Sequence, residues 1–294
     1  MEWGENNETV SGAGALAMRG TMGHVVMTRV IAITSGKGGV GKTHTTINLG
    51  LTLSKLGKRV LLLDADLGLA NINVMLGFEP RATVEEVLRG KASLNDIVVS
   101  HPSGIDIIPA SSGIQELSHL SEGERLALIE GVETLGKRYD YLLIDTGAGV
   151  GSNVMFFNAA AHDVLVVIDQ EPTSLTDAYA LIKIMSSRHG VNNFLVLVNR
   201  TPSNIDGKTV FSQLMTVTGK FLNVRLQYLG SIADDESVTQ AIVSRKPFVE
   251  IYPSSRTSTD ISQIARKLVA TPAARNCGGG IQFFFQELLR GSAT

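Results

Sequence analysis

Cysteine is nearly absent: the 294-residue chain has one, Cys277. A single thiol excludes an internal disulfide, a Cys-x-x-Cys redox pair and a thiolate metal cluster, and it fits a reducing cytosol. Apolar residues make up 44% of the chain, yet no uninterrupted run reaches the roughly 20 residues that a membrane-spanning helix needs. The first residues lack the basic-then-apolar order of a secretion signal, so the chain is expected to be cytosolic unless it docks on a surface. Charge of one sign is missing too. With 26 Lys and Arg against 28 Asp and Glu, the formal net charge is -2, which gives no global attraction to nucleic acid.

What the chain does have is alternation. Short apolar runs recur at Val30–Ile33, Val60–Leu63, Ile105–Ile108, Tyr141–Ile144, Val164–Ile168, Phe194–Val198 and Leu226–Gly230. Continuous apolar runs of this length suit strands buried on both faces of a parallel sheet. Between them lie amphipathic stretches with helix-start spacing, Thr83–Glu86 and Ser174–Asp177. The expected fold is α/β, a single doubly wound, mostly parallel sheet with helices on both faces. The first stretch, 1–28, is rich in Gly, Ala, Asn and Glu and reads as a flexible arm. One folded domain is expected over 29–270. Pro272 and Gly278 to Gly280 mark a linker over 271–280. Beyond it, over 281–294, Ile281, Phe284, Phe285, Leu288 and Leu289 recur at helical spacing, which predicts a C-terminal amphipathic helix. Such a stripe suits either weak membrane binding or packing on the protein's own core.

The segment Gly36-Lys37-Gly38-Gly39-Val40-Gly41-Lys42-Thr43 matches the pattern G-x-x-x-x-G-K-[ST]. It follows the first predicted strand and precedes a predicted helix at Thr45–Leu56. Glycines let backbone N–H groups curl around phosphates, and the helix N-terminus adds partial positive charge. Lys42 is expected on the β- and γ-phosphates of ATP, and the Thr43 hydroxyl on Mg2+. Asp64 and Asp66 follow the second strand, where carboxylates face the ligand crevice. There they hold Mg2+ waters or orient a nucleophilic water, unless they serve the turn itself. Asp145 ends an apolar strand and is followed by Thr146-Gly147-Ala148-Gly149. This is the Walker B layout, with Asp145 on a Mg2+-bound water and the Gly-rich segment placed to respond to the γ-phosphate. Asn199 closes the strand at Phe194–Val198, and its amide suits an adenine edge.

With its second lysine, Lys37, the phosphate loop resembles the deviant Walker A signature of the MinD/ParA ATPases. The resemblance covers about residue 29 to the end of the chain. It implies that Lys37 reaches the phosphates of a partner across an ATP-sandwich homodimer, that Asp66 activates water with Asp64 near Mg2+, and that Thr45 joins the loop in binding nucleotide. It also implies that Asn199 and the Gly230–Val238 stretch with Asp235 contact the base, although Ala233 stands where the family usually has Pro. The stretches Asp64–Gly77 and Glu171–Lys183 are similar to the flagellar-number branch, FlhG or FleN. That likeness implies ATP-driven dimerisation and docking of the terminal helix at the inner face of the cell membrane, with the cell pole as one such place. It further implies control of flagellar number and gene expression through an FlhF-like GTPase, flagellar switch proteins or an enhancer-binding activator, with no direct contact to nucleic acid. Of the arm segment D-Q-A-x-x-L-R, which stimulates the partner GTPase in that branch, Ala15 to Arg19 keep only part, with Ala13 and Gly14 in place of the Asp and Gln. A MinD-type division-site regulator and a ParA-type DNA-partitioning ATPase are the alternative roles.

Overall fold

The computed structural model describes Met1 and residues 28–66, 71–83, 86–87, 90–109, 135, 138–203 and 205–272. The expected arm between Met1 and Thr28, the linker beyond Pro272 and the terminal stripe Ile281, Phe284, Phe285, Leu288 and Leu289 lie outside them; Thr28 itself is buried, its hydroxyl donating to the Tyr139 carbonyl at 2.9 Å, and belongs to the folded domain. The strands are β1 (Arg29–Ser35), β2 (Val60–Ala65), β3 (Val99–His101), β4 (Ile105–Ile108), β5 (Tyr141–Ala148), β6 (Asp163–Ile168), β7 (Asn193–Thr201) and β8 (Arg225–Ala233). The helices with assigned ranges are α1 (Lys42–Lys55), α2 (Ile72–Leu76), α3 (Ser152–Ala160), α4 (Pro172–His189), α5 (Gly207–Phe221), α6 (Glu236–Val243), α7 (Phe248–Ile251) and α8 (Arg256–Ala270).

All eight strands form one sheet in the order β3-β4-β2-β5-β1-β6-β7-β8. Every pairing is parallel except β3 with β4. Apolar alternation assigns the faces. Val30 and Ala32 of β1 point into one core, while Ile31 and Ile33 point into the other. Helices α1 and α8 cover the second face, where Ile47, Leu49, Leu51 and Leu53 meet Ile261, Ile264 and Leu268. On the opposite face α4 and α5 bury Leu181, Met185, Val210 and Leu214 over β6 and β7. The chain leaves β1 toward β2 on one side and later returns to β6 on the other. The carboxyl ends of β1, β2 and β5 therefore border the crevice where a doubly wound sheet binds its ligand.

Two helix starts differ in detail from the spacing argument. Helix α4 begins at Pro172 rather than at Ser174. Proline at the first position has no N–H to leave unpaired. The Ser174 hydroxyl instead accepts a hydrogen bond from the Asp169 N–H at 3.1 Å, closing the turn before the helix. At Thr83, by contrast, the box forms: the Thr83 N–H and hydroxyl both donate to Glu86 Oε2, each at 2.7 Å.

The far end of the sheet is held by a buried ion pair. Arg29 Nε donates to Asp163 Oδ2 at 2.7 Å, with side-chain exposures of 9% and 2%. The same guanidinium donates to the carbonyls of Leu268 (2.9 Å) and Thr271 (2.6 Å). It thus places a cation on the C-terminal carbonyls of α8, where the helix dipole favours one.

Candidate functional site

The phosphate loop runs from the end of β1 into α1. Gly39 (φ 77°) and Gly41 (φ 92°) take left-handed conformations that turn the loop back on itself. Gly36 is required for another reason. A Cβ there would lie 2.2–2.6 Å from the backbone of Asp177 and Ala178, so the loop begins in contact with α4. The Ser35 hydroxyl donates to the Lys37 carbonyl at 2.7 Å and closes the first bend. At the start of α1 the helix N-terminus faces the crevice, as anion binding requires. Thr45 does not point there: its hydroxyl donates to the Gly41 carbonyl at 2.9 Å, inside the helix.

Lys42 is buried at this mouth. Burial lowers its ammonium below the usual lysine value, although Asp145 and Asp66 pull it upward. Lys37 is placed differently. Its Nζ donates to Glu171 Oε2 and, at 3.1 Å, to the Thr173 hydroxyl. Both partners sit at the start of α4 on the open side of the site. The Glu171 contact raises the Lys37 ammonium and lowers the Glu171 carboxyl.

Asp64 and Asp145 are register partners on adjacent strands β2 and β5. Burial, reinforced by the Asp64 charge, pushes Asp145 up to about 7, while the Thr43 and Thr46 hydroxyls and Lys42 resist that rise. The Thr46 hydroxyl lies 3.2 Å from Asp145 Oδ1. Asp64 is buried as well, and burial raises its carboxyl. Its oxygens are already engaged: Oδ1 accepts from the Asp66 N–H at 3.2 Å, and Oδ2 from Asn71 and Ile72 at 3.0 and 3.1 Å. Asp64 therefore anchors the start of α2 from beside Asp145. Asp66 is only partly covered. A Cβ at Gly147 would lie 3.6 Å from its Oδ1, so the carboxylate stands against the last residues of the β5 segment. That segment is tied to the loop by the Gly149 N–H, which donates to the Ser35 carbonyl at 2.9 Å.

On the other flank, Asn199 Nδ2 donates to the Val40 carbonyl at 2.7 Å, so in this conformation the amide supports the loop. Next to it Arg200, at φ 49°, donates from its guanidinium to the Gly39 carbonyl. Asp235 caps α6 and accepts from the Ser237 N–H at 2.8 Å. Lys42, Thr43, Asp64, Asp66 and Asp145 thus converge on one crevice, Asn199 braces its loop, and Lys37 stands at its rim. Sequence reasoning gave no role to Glu171, Thr173, Arg200 or Thr46. Arg200 beside Asn199 and Glu171 before a helix-starting Pro172 were the available signals.

A family model described as an AAA domain matches residues 28–196. The antiactivator FleN of Pseudomonas aeruginosa is 44% identical over 273 residues, 93% of this chain and 98% of that protein. The chain belongs to the MinD/ParA family. Within this family it groups with flagellar regulators. The flagellum site-determining protein YlxH of Helicobacter pylori is 34% identical over 90% of each chain. The septum site-determining protein MinD of Pyrococcus horikoshii, solved with Mg-ADP, superposes with a TM-score of 0.64 at 26% identity, over 82% of this chain and 96% of that one.

The residues present fit a magnesium nucleotide. The loop leaves no room for a side chain at Gly36 or Gly41. A lysine, a hydroxyl and a buried carboxylate supply the donor set that a MinD/ParA ATPase needs, because Mg2+ is usually held by one or two carboxylates with waters and substrate phosphates rather than by a protein cage.

Proposed function

We propose that this chain is an ATP-hydrolysing switch of the FleN type. Lys42 and the loop N–H groups hold the β- and γ-phosphates of ATP. The Thr43 hydroxyl and Asp145 hold Mg2+, which neutralises charge on the β- and γ-oxygens when bound. Asp66 orients the attacking water, and Asp64 keeps the Asp66 turn and α2 in register with the metal. Two copies close over two nucleotides, and Lys37 of each leaves Glu171 to reach the other's phosphates. Turnover is slow without a stimulating partner, because a switch has to persist in its ATP state. The dimer then presents two copies of the 281–290 segment to the inner membrane surface, where pairing multiplies a weak affinity. By its likeness to an antiactivator and a flagellum site-determining protein, its role is to restrain flagellar number and flagellar gene expression, acting through an FlhF-like GTPase, switch proteins or an enhancer-binding activator.

The observation that carries this reading is the position of Lys37. It is held at the rim by Glu171 and Thr173 instead of being turned onto its own loop beside Lys42. Light scattering after size exclusion tests the idea. Mg·ATP, and more strongly Mg·ATP with Asp66→Ala, should produce dimers. Lys37→Ala should stay monomeric while binding ATP within about threefold of wild type. A Lys37→Ala protein that still dimerises with ATP sinks the reading. Liposome sedimentation of the intact chain beside one ending at Gly280 tests the membrane step in the same nucleotide states.

A further inference from the structure

Behind the phosphate loop a cleft of about 230 Å3 opens between α1, α2 and the α6–α7 turn. His44 and Asn48 form its floor, Val74 and Met75 one wall, and Ile242, Arg245 and Lys246 the other. Among the described residues no Asp or Glu lines it. Its rim continues as an apolar surface over both helices: Val74 is 53% exposed, Ile242 46% and Val243 81%. An exposed apolar strip beside a cavity, edged by charge of one sign, marks a surface built to be covered.

The backbone at Arg245 supports this. Helix α6 closes with the Lys246 N–H on the Ala241 carbonyl (3.1 Å) and the Arg245 N–H on the Ile242 carbonyl (3.0 Å). This turn puts the residue that follows the cap Ser244 in the left-handed region, where glycine fits at no cost. Arg245 occupies it at φ 50°. Among the described residues only one other non-glycine residue has positive φ, Arg200, and its guanidinium serves the phosphate loop. A long cation kept where glycine would be easier points to a use for its side chain.

The opposite wall is tied to the nucleotide site. Helix α2 starts on the two N–H groups that Asp64 Oδ2 holds, and Asp64 lies beside Asp145 in the sheet. The wall that carries Val74 and Met75 is thus joined through two backbone hydrogen bonds to the carboxylate beside Asp145.

We propose that this cleft docks an acidic, apolar segment of a partner protein, and that the width of the cleft follows the nucleotide state. One or two apolar side chains enter between Val74 and Ile242, and two or more carboxylates meet Arg245 and Lys246. The chain's own segment 281–290 is a poorer match, since it carries one acid, Glu287, and one base, Arg290.

The test is photo-crosslinking of the full chain in its own cells, with benzoylphenylalanine at Val243 and the crosslinked residues mapped by mass spectrometry. The expected crosslink falls on a partner segment with neighbouring acidic and apolar residues. It should drop at least tenfold in the Arg245→Glu/Lys246→Glu double variant and return when the partner's carboxylates are changed to lysines. Yield should differ between Asp66→Ala, held with ATP, and Lys42→Ala. A fluorescent ATP analogue should bind the Arg245→Glu/Lys246→Glu variant as it binds wild type, which separates this surface from the ATPase site. Crosslinks to residues 281–290, crosslinks to lipid, no crosslink, or one indifferent to charge reversal would each overturn the proposal.

Discussion

Replacing Gly41 by alanine tests the loop geometry most directly. Gly41 has φ 92°, and a Cβ there would lie 2.3 Å from Asn199 Nδ2. Holding a non-glycine residue in the left-handed region costs about 1–2 kcal/mol. Displacing the Asn199 amide also breaks its 2.7 Å bond to the Val40 carbonyl, worth about 1 kcal/mol net. The total is about 2–3 kcal/mol, or roughly 30- to 160-fold in an equilibrium constant. Where it appears depends on the empty loop. A loop that keeps its shape without ATP shows the loss as stability. A loop that relaxes shows it as nucleotide affinity. The quantity to measure is therefore the sum, from denaturant unfolding without nucleotide and titration of a fluorescent ATP analogue. A sum below about 1 kcal/mol refutes the argument. Asn199→Ala divides the two causes. It gives up the same bond that Gly41→Ala displaces, so the double variant should cost no more than Gly41→Ala alone, within about 0.5 kcal/mol. Full additivity would show that the alanine never displaces the amide.

Three further outcomes follow from the same structure. Gly36→Ala should abolish ATP binding, and no side-chain change in α4 should rescue it, because the clash is with the backbone of Asp177 and Ala178; recovered titration in any α4 variant contradicts this. Arg29→Met leaves Asp163 buried without its cation and should lower unfolding free energy by about 3–5 kcal/mol, read from denaturant midpoints, while ATP affinity is retained. For Asp145 the folded pKa, about 7, lies above the ordinary carboxyl value near about 3.9. The folded state then keeps a proton that the unfolded chain has released, so this group's stability contribution is full below about pH 4 and is lost as pH rises through about 7. His44 and His162, lowered by burial, act in the opposite sense. The check is therefore the difference between wild type and Asp145→Asn without nucleotide: the asparagine variant should gain on wild type between about pH 4 and 7, and parallel curves would contradict the assignment.

Local pattern carried far in this chain. The strands at Val30–Ile33 and Val164–Ile168 are legible because burial on both faces leaves no room for polar alternation, and the phosphate loop is legible because glycine and lysine spacing is its mechanism. What escaped reading are pairings over long separations. Lys37 meets Glu171 across 134 residues, and Arg200 meets Gly39 across 161. Nothing in the local period announces either. Asp64 is a subtler case. Its place at a strand end was readable, but its engagement by three backbone N–H groups depends on how the chain turns into α2. The antiparallel β3 escaped for a simpler reason: Val99-Ser100-His101 is too short and too exposed to leave an apolar signature.

Taken together, the contacts place two levers on one loop. On one side Gly36 abuts α4, whose first turn carries Glu171 and Thr173 and so holds Lys37. On the other side Asp64 joins the metal position to α2. In the switch proposed above, a γ-phosphate held by Lys42 and Thr43 and faced by Asp66 and Gly147 would act on both levers at once. The first lever acts at the rim where a second copy would arrive, the second at the cleft behind the loop. The proposed switch calls for such an arrangement, because one bond cleavage would have to release two different surfaces. Glu171→Gln separates them. It should loosen Lys37 and alter ATP-dependent dimerisation while leaving Asp64, α2 and the crosslink at Val243 in the monomer unchanged. A Val243 crosslink that follows Glu171→Gln in the monomer would mean that the two surfaces are coupled by a route other than the phosphate loop.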